Sequence, residues 1–102
     1  MKVVWSPSAI ERAIEEASFI ALDKPQAADR WLDGLFAAVE RLEMFPNSGH
    51  VVPELRRSRY RQIVYKSHRV VYSIRDEVVR IHTVRRFKRK LDVAEILTEP
   101  KG

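Results

Sequence analysis

Cysteine is absent from the 102-residue chain. Disulfide scaffolds, thiolate metal sites and cysteine nucleophiles are excluded with it. Glycine occurs three times, isolated at Gly34, Gly49 and Gly102, so there is no glycine-rich loop to cradle a phosphate. The G-x-S-x-G elbow of serine hydrolases is missing too. His50, His68 and His82 lie far apart and form no HExxH pattern, so neither a metal site nor a cofactor is expected. The longest apolar run is five residues, Leu35 to Val39, where a spanning helix needs about 20. Met1 to Trp5 is too short for the apolar region of a signal peptide. The address expected from these absences is the cytoplasm.

Apolar residues make up 45% of the chain and aromatic residues 9%, enough for one modest core. The length fits a single domain over residues 1–102, with no repeat, low-complexity stretch or linker. The net charge of +5 hides a split. Met1 to Val52 carries five basic and eight acidic residues, a net of −3. Pro53 to Gly102 carries 14 basic and six acidic residues, a net of +8. Between Arg56 and Lys90, only Asp76 and Glu77 oppose 13 cationic side chains. Within one domain this predicts a one-sided field that favours an acidic partner.

The apolar period divides the chain at a similar place. Lys2 to Trp5 is a short strand-favouring run. Ser6-Pro7 reads as an N-cap with proline at the first helical position, and Ser8 with Glu11 offers a competing capping box. Ile10, Ala13, Ile14, Ala17, Ile20 and Ala21 then recur at helical spacing, with Glu11, Arg12, Glu15 and Glu16 on the other side. Asp23 is placed to cap a second helix, whose stripe is Ala28, Trp31, Leu32, Leu35, Val39 and Leu42. Trp31, Phe36 and Phe45 read as core, and Trp5 as packing beneath the first helix. The second helix stops at Pro46-Asn47-Ser48-Gly49, and the short link predicts an antiparallel helical hairpin.

Tyr60 to Tyr65, Arg69 to Ile74 and Val78 to Val84 read as strands. Lys66-Ser67-His68 and Asp76-Glu77 supply the turns, although Asp76-Glu77 lacks the glycine a two-residue turn prefers. With Asp76 and Glu77 as the loop, Ile74 faces Val79, Tyr72 faces Ile81 and Val70 faces Thr83. That register puts Val70, Tyr72, Ile74, Val79, Ile81 and Thr83 against the helices. Arg69, Val71, Ser73, Arg80, His82 and Val84 then line an exposed basic face, joined by Arg61 and Tyr65. A short helix is predicted within Phe87 to Leu97, with Phe87, Leu91 and Ala94 inward, and residues 98–102 are expected to fray. The expected class is α+β: an N-terminal antiparallel helical hairpin on a twisted, mainly antiparallel sheet of three to four strands.

Arginine cannot serve as a general base, but it binds phosphates bidentately and stabilises charge on a phosphoryl group. Proton transfer in RNA cleavage would fall to His82, with Tyr65 a weaker candidate. Glu54 reads as an exposed loop acid. Arg85, Arg86, Lys88, Arg89 and Lys90 are dense enough to favour a polyanion or an acidic protein.

The order and spacing of several stretches resemble the RelE/ParE superfamily of toxins from type II toxin–antitoxin modules. They are Trp5-Ser6-Pro7-Ser8-Ala9, Asp23-Lys24-Pro25-Gln26-Ala27-Ala28, Leu42 to Gly49 with Val52 to Leu55, Tyr60-Arg61, His68 to Ile74 and Val78 to Val84. The resemblance runs from about Val4 to Leu91. It implies a helical hairpin on an antiparallel sheet, and a toxin held inactive by a cognate antitoxin. Members of the RelE branch cleave mRNA in the ribosome; members of the ParE branch poison DNA gyrase. Arg61 and Arg69 match basic strand positions of the RelE branch. Ile63 replaces a second basic residue, Arg85-Arg86-Phe87 departs from the usual arrangement, and no tyrosine follows Tyr72. The long helices and the Pro25-Gln26-Ala27-Ala28 junction resemble the ParE branch, in which a histidine often stands where Arg85 is here.

The favoured expectation is therefore a ParE-like gyrase inhibitor without catalytic residues. Arg61, Arg69, Arg80, Arg85, Arg86, Lys88 and Arg89 would contact target or antitoxin. The alternative is a ribosome-dependent mRNA endonuclease using Arg61, Arg69 and His82. A weaker one is a non-toxic nucleic-acid-binding module. An acidic, amphipathic antitoxin segment would cover the sheet and the hairpin groove.

Overall fold

Ser6 joins three elements. Its backbone N–H donates to the Ile81 carbonyl at 2.9 Å, and its hydroxyl accepts from Ala9 N at 3.0 Å and donates to the His82 carbonyl at 3.2 Å. The serine thus ends strand β1 (Lys2–Trp5), caps helix α1 (Pro7–Ala21) and ties both to a later strand. The Ser8–Glu11 box is not the cap. Helix α2 (Pro25–Glu40) follows after a tight link and runs into a 3₁₀ turn at Arg41–Glu43. Its N-cap is Lys24, without a side-chain bond, so Asp23 does not cap as expected. The computed structural model describes residues 1–55 and 59–97. Arg56, which opens the basic run, and the tail 98–102 lie outside the described residues.

Five further elements complete the sheet and its cover: β2 (His50–Val51), β3 (Tyr60–Tyr65), β4 (His68–Arg75) and β5 (Val78–Arg86), then α3 (Val93–Leu97). The sheet has five strands in the order β1-β5-β4-β3-β2, antiparallel except for the parallel pair β1–β5. The fold is the α+β class expected, with one strand more than the upper estimate. The extra strand, β2, has two residues and is too short to leave a period in the sequence.

Asp76 and Glu77 do form a two-residue turn, with Arg75 opposite Val78. Both adopt left-handed backbone, φ 51° and 61°, the geometry of a type I′ hairpin without its usual glycine. The register then holds for Ile74–Val79 and Tyr72–Ile81 and breaks between Val71 and Tyr72. The bulge leaves His82 as the extra residue, so Val71 faces Thr83 and Val70 faces Val84. The expected Val70–Thr83 pair is corrected, and beyond the bulge Val84 and Thr83 exchange faces. Val84 joins the main core with Val70, Tyr72, Val79 and Ile81; Thr83 points to the other side.

The core lies between this face and the hairpin: Ala9, Ala13 and Ala17 of α1 and Ala28, Trp31, Leu35 and Val39 of α2, with Leu42. Alanines four residues apart let α1 lie close on the sheet. The inward stripe of α1 is therefore turned from the one expected, and Ile10 and Ile14 are exposed. Arg12 and Glu16 lie half-buried instead, drawn in by ion pairs to α3, β4 and β5. Phe36 and Phe45 are exposed rather than core, although Phe36 meets Trp5 edge-on at 5.3 Å. No described helix is long and apolar enough to cross a membrane.

Candidate functional site

The sheet face away from the hairpin was expected to be open and basic. It is largely covered. Tyr60 and Val71 on this face pack with Val52 from the β2–β3 connection and Ile96 from α3, and Leu55 and Leu91 border the cluster. The terminal helix is shorter than predicted: Ile96 is its buried residue, while Phe87 is exposed in the turn before it.

Arg69 and Arg85 stand opposite each other on β4 and β5, on the covered face. Both are held by acids from the covering segments. Arg69 is 6% exposed and grips Glu54 with a fork, Nη1 to Oε1 at 3.0 Å and Nη2 to Oε2 at 2.5 Å. Its Nη1 also donates to Gln62 Oε1 at 3.3 Å, and its guanidinium stands 6.0 Å from the Phe87 ring centre. The Arg69 bond holds the Glu54 carboxyl below the usual range, against a weaker upward push from burial.

Glu95 of α3 is divided among several groups. Oε1 accepts from Arg12 Nε at 2.9 Å and lies 2.8 Å from Arg12 Nη2. Oε2 accepts from Thr83 Oγ1 at 3.1 Å and lies 3.6 Å from Arg85 Nη2, too long for a hydrogen bond. Bonding to Glu95 raises the pKa of Arg12. Arg12 can reach around from α1 because β1 ends opposite Ile81 and leaves the rest of β5 without a strand on that side.

On the hairpin side, Glu16 sits between His68 Nε2 at 3.0 Å and Arg86 Nε at 2.9 Å. Burial alone would raise the Glu16 carboxyl. The bonds to His68 and Arg86 outweigh it, and the net shift is downward. His68 packs edge-on against Trp31, and Arg86 stacks over Phe19. Beside them an open pocket of about 530 Å³ is lined by Ser67, His68, Arg86, Phe87 and Lys88.

Of the residues named from the sequence, Arg69 and Arg85 are thus brought together, and Arg61, Tyr65 and Arg86 are placed on the other face. Arg61 and Tyr65 alternate onto the hairpin side of β3, correcting their expected place. Arg61 donates to the Gly49 carbonyl at 2.9 Å; the Tyr65 hydroxyl donates to the Trp31 carbonyl at 2.9 Å, and burial raises its pKa. His82 is on the covered side but only 2% exposed, its Nε2 2.8 Å from Ser73 Oγ and its ring against Tyr60. Arg69 lies on the face expected, while Arg86 faces the hairpin. Arg80 is half-exposed on β5, and Lys88, Arg89 and Lys90 are exposed in the turn after it. Arg85 and Arg86 belong to β5 rather than to the segment after it.

Glu16 and Glu95 escaped sequence reasoning, and Glu54 was undervalued. The available signal was scarcity: an acid in so basic a half is placed to serve as a counter-ion. Glu16 carried no such signal, because it belongs to an acidic helix.

Comparison with known proteins gives the following. The sequence matches the family profile described as "ParE toxin of type II toxin-antitoxin system, parDE" over residues 3–91. No curated protein sequence matches. Among solved structures, a chain described as "Chromosomal ParDE TA system from P. aeruginosa" is similar in fold. It has a TM-score of 0.71 and 16% identity, covering 84% of this chain and 95% of that one.

Proposed function

The chain belongs to the ParE toxin family of type II toxin–antitoxin systems, and from that premise we propose that it inhibits DNA gyrase and is neutralised by a cognate antitoxin. The observation that carries this reading is the family match over residues 3–91, nearly all of the described chain. The fold shared with a chain of a ParDE system agrees with it.

The arrangement of the basic residues favours gyrase over the ribosome as target. Cleavage of mRNA by attack of the 2′-hydroxyl needs a proton acceptor and a charge stabiliser within reach of one phosphate. Arg61 and Arg69 stand on opposite faces of the sheet, and His82 is buried against Ser73 and Tyr60. Binding a macromolecular target needs only accessible charge, which Arg80, Lys88, Arg89 and Lys90 supply.

The antitoxin is inferred to be acidic and amphipathic. Exposed apolar side chains at Ile10, Ile14, Phe19 and Leu22 on the hairpin give such a segment something to bury. Co-purification with the product of a neighbouring small reading frame is the cheapest check. The target is tested by DNA supercoiling and cleavage-complex assays with purified gyrase. Inhibition that added antitoxin reverses is the expected result. Unchanged supercoiling at saturating toxin, with message cut in a translating extract, overturns it.

A further inference from the structure

We propose that Arg69 and Arg85 form a binding site for the phosphodiester backbone of a nucleic acid, which Glu54 and Glu95 occupy in the closed chain. The inference goes beyond inhibition of gyrase and does not depend on which target the toxin has.

Three observations carry it. First, Arg69 and Arg85 are directly opposed across an antiparallel pair and project to the same face, with Cα atoms about 5 Å apart. Like charges directly opposite one another across a strand pair are destabilising unless an anion offsets them. Second, both are incompletely satisfied. The Nε atoms of Arg69 and Arg85 are buried and lack a hydrogen-bond partner, and the Arg85 side chain is only 13% exposed. Arginine has five N–H donors, and a buried one left unbonded is costly. Third, the resident acids cannot do better. Glu54 spends both oxygens on the Nη atoms of Arg69. Glu95 serves Arg12 and Thr83 at bonding distance and leaves Arg85 at 3.6 Å.

A phosphodiester suits this pair better than a carboxylate. Its two free oxygens are set on a tetrahedral centre, so one group can bridge two guanidinium planes and accept from Nε as well as Nη. The surroundings favour a ligand with many charges. Lys88, Arg89 and Lys90 are exposed in the turn between Arg85 and Glu95, so a strand leaving the pair would run along further cations.

The cover is also of a kind that can leave. Helix α3 has five residues, too few to hold helical structure unaided. It stays in place through Ile96 in the apolar cluster and through Glu95. Neutralising Glu95 removes the anion that competes for Arg85 while keeping the side chain's shape.

Binding of the full chain to a fluorescent 20-base-pair duplex, read by anisotropy, tests the site. E95Q is expected to tighten binding about tenfold. E77Q makes the same charge change at the exposed β4–β5 turn and is expected to alter binding less than twofold. Adding R85Q to E95Q should remove the gain. Equal effects of E95Q and E77Q, or a gain that survives R85Q, overturn the proposal. Tighter binding of E95Q to a glutamate-rich peptide of matched charge than to the duplex would give the site to an acidic protein instead. If E95Q does not fold, the wild-type chain decides. Pyrophosphate should move the NMR signals of the Arg69 and Arg85 Nε–H groups saturably, and duplex should compete. No movement overturns the site; movement without duplex binding reassigns it to a small free phosphate.

Discussion

Glu16 shows what one side chain decides in this molecule. It lies on a helix whose other acids mostly face solvent, yet it joins α1 to the start of β4 and the end of β5 through His68 and Arg86. Its carboxyl titrates lower folded than unfolded. The sign follows from linkage: the stabilisation is fully present above the unfolded value of about 4.3 and is lost as pH falls through the lower folded value. Glu54, also lowered, acts in the same direction but more weakly, because it is more exposed. Urea midpoints measured across acid pH should therefore fall below about pH 4. E16Q should lower the midpoint at pH 7, because it leaves Arg86 without its counter-charge, and should flatten the acid slope. An unchanged slope in E16Q would assign the acid sensitivity to other groups.

At the scale of elements, two turns and one helix position carry strain or tight packing that the sequence marks only faintly. Asp76 and Glu77 both hold left-handed backbone, which costs a residue with a Cβ roughly 1 kcal/mol or more. E77G is expected to stabilise the chain by about 0.5–1 kcal/mol, provided this relief exceeds the added entropy of the unfolded chain. A rise of a few degrees in melting temperature would show it. Where α2 meets β3, a Cβ on Gly34 would run into the Tyr65 hydroxyl, which is committed to the Trp31 carbonyl. G34A should cost about 1–3 kcal/mol, and Y65F should recover part of that loss in the double variant. Additive costs would mean that the two residues do not press on each other. Similarly, the Tyr72 hydroxyl donates to Pro46 O at 2.7 Å and accepts from Gly49 N at 2.9 Å. That lock explains why the Pro46–Gly49 stop signal becomes a fixed corner leading into β2.

Across the whole molecule, the charge split survives folding in altered form. The acidic half becomes β1, the hairpin and β2, and the basic half becomes the other strands and the segment to α3. The basic half is nonetheless less bare than its composition suggests, because Glu16, Glu54 and Glu95 neutralise its inner arginines. Among the described residues, the charge left for long-range attraction is mainly Arg59, Lys66, Lys88, Arg89 and Lys90, all exposed. Association with an acidic partner should therefore slow by about tenfold or more between 50 and 200 mM salt, while dissociation changes less. Stopped-flow mixing with the antitoxin would measure both; a salt-independent association rate would refute steering by this field.

The sequence by itself determined the class and order of the elements. The helical stripes, the β-branched runs, the Ser6-Pro7 start and the Pro46–Gly49 stop are local signals, and local sterics and hydrogen bonding act on neighbours along the chain. Family membership was legible for the same reason, since it rests on ordered short motifs. What only the tertiary structure decided was which side each residue faces. One bulge at His82 exchanged Val84 with Thr83, alternation put Arg61 and Tyr65 against the helices, and ion pairs turned α1 away from Ile10 and Ile14. Those outcomes depend on contacts between segments: strand pairing for the first two, and Glu16 with Arg86 and Arg12 with Glu95 for the third. No period within one segment encodes them, because the strand register and the ion pairs that settle them each involve a second segment.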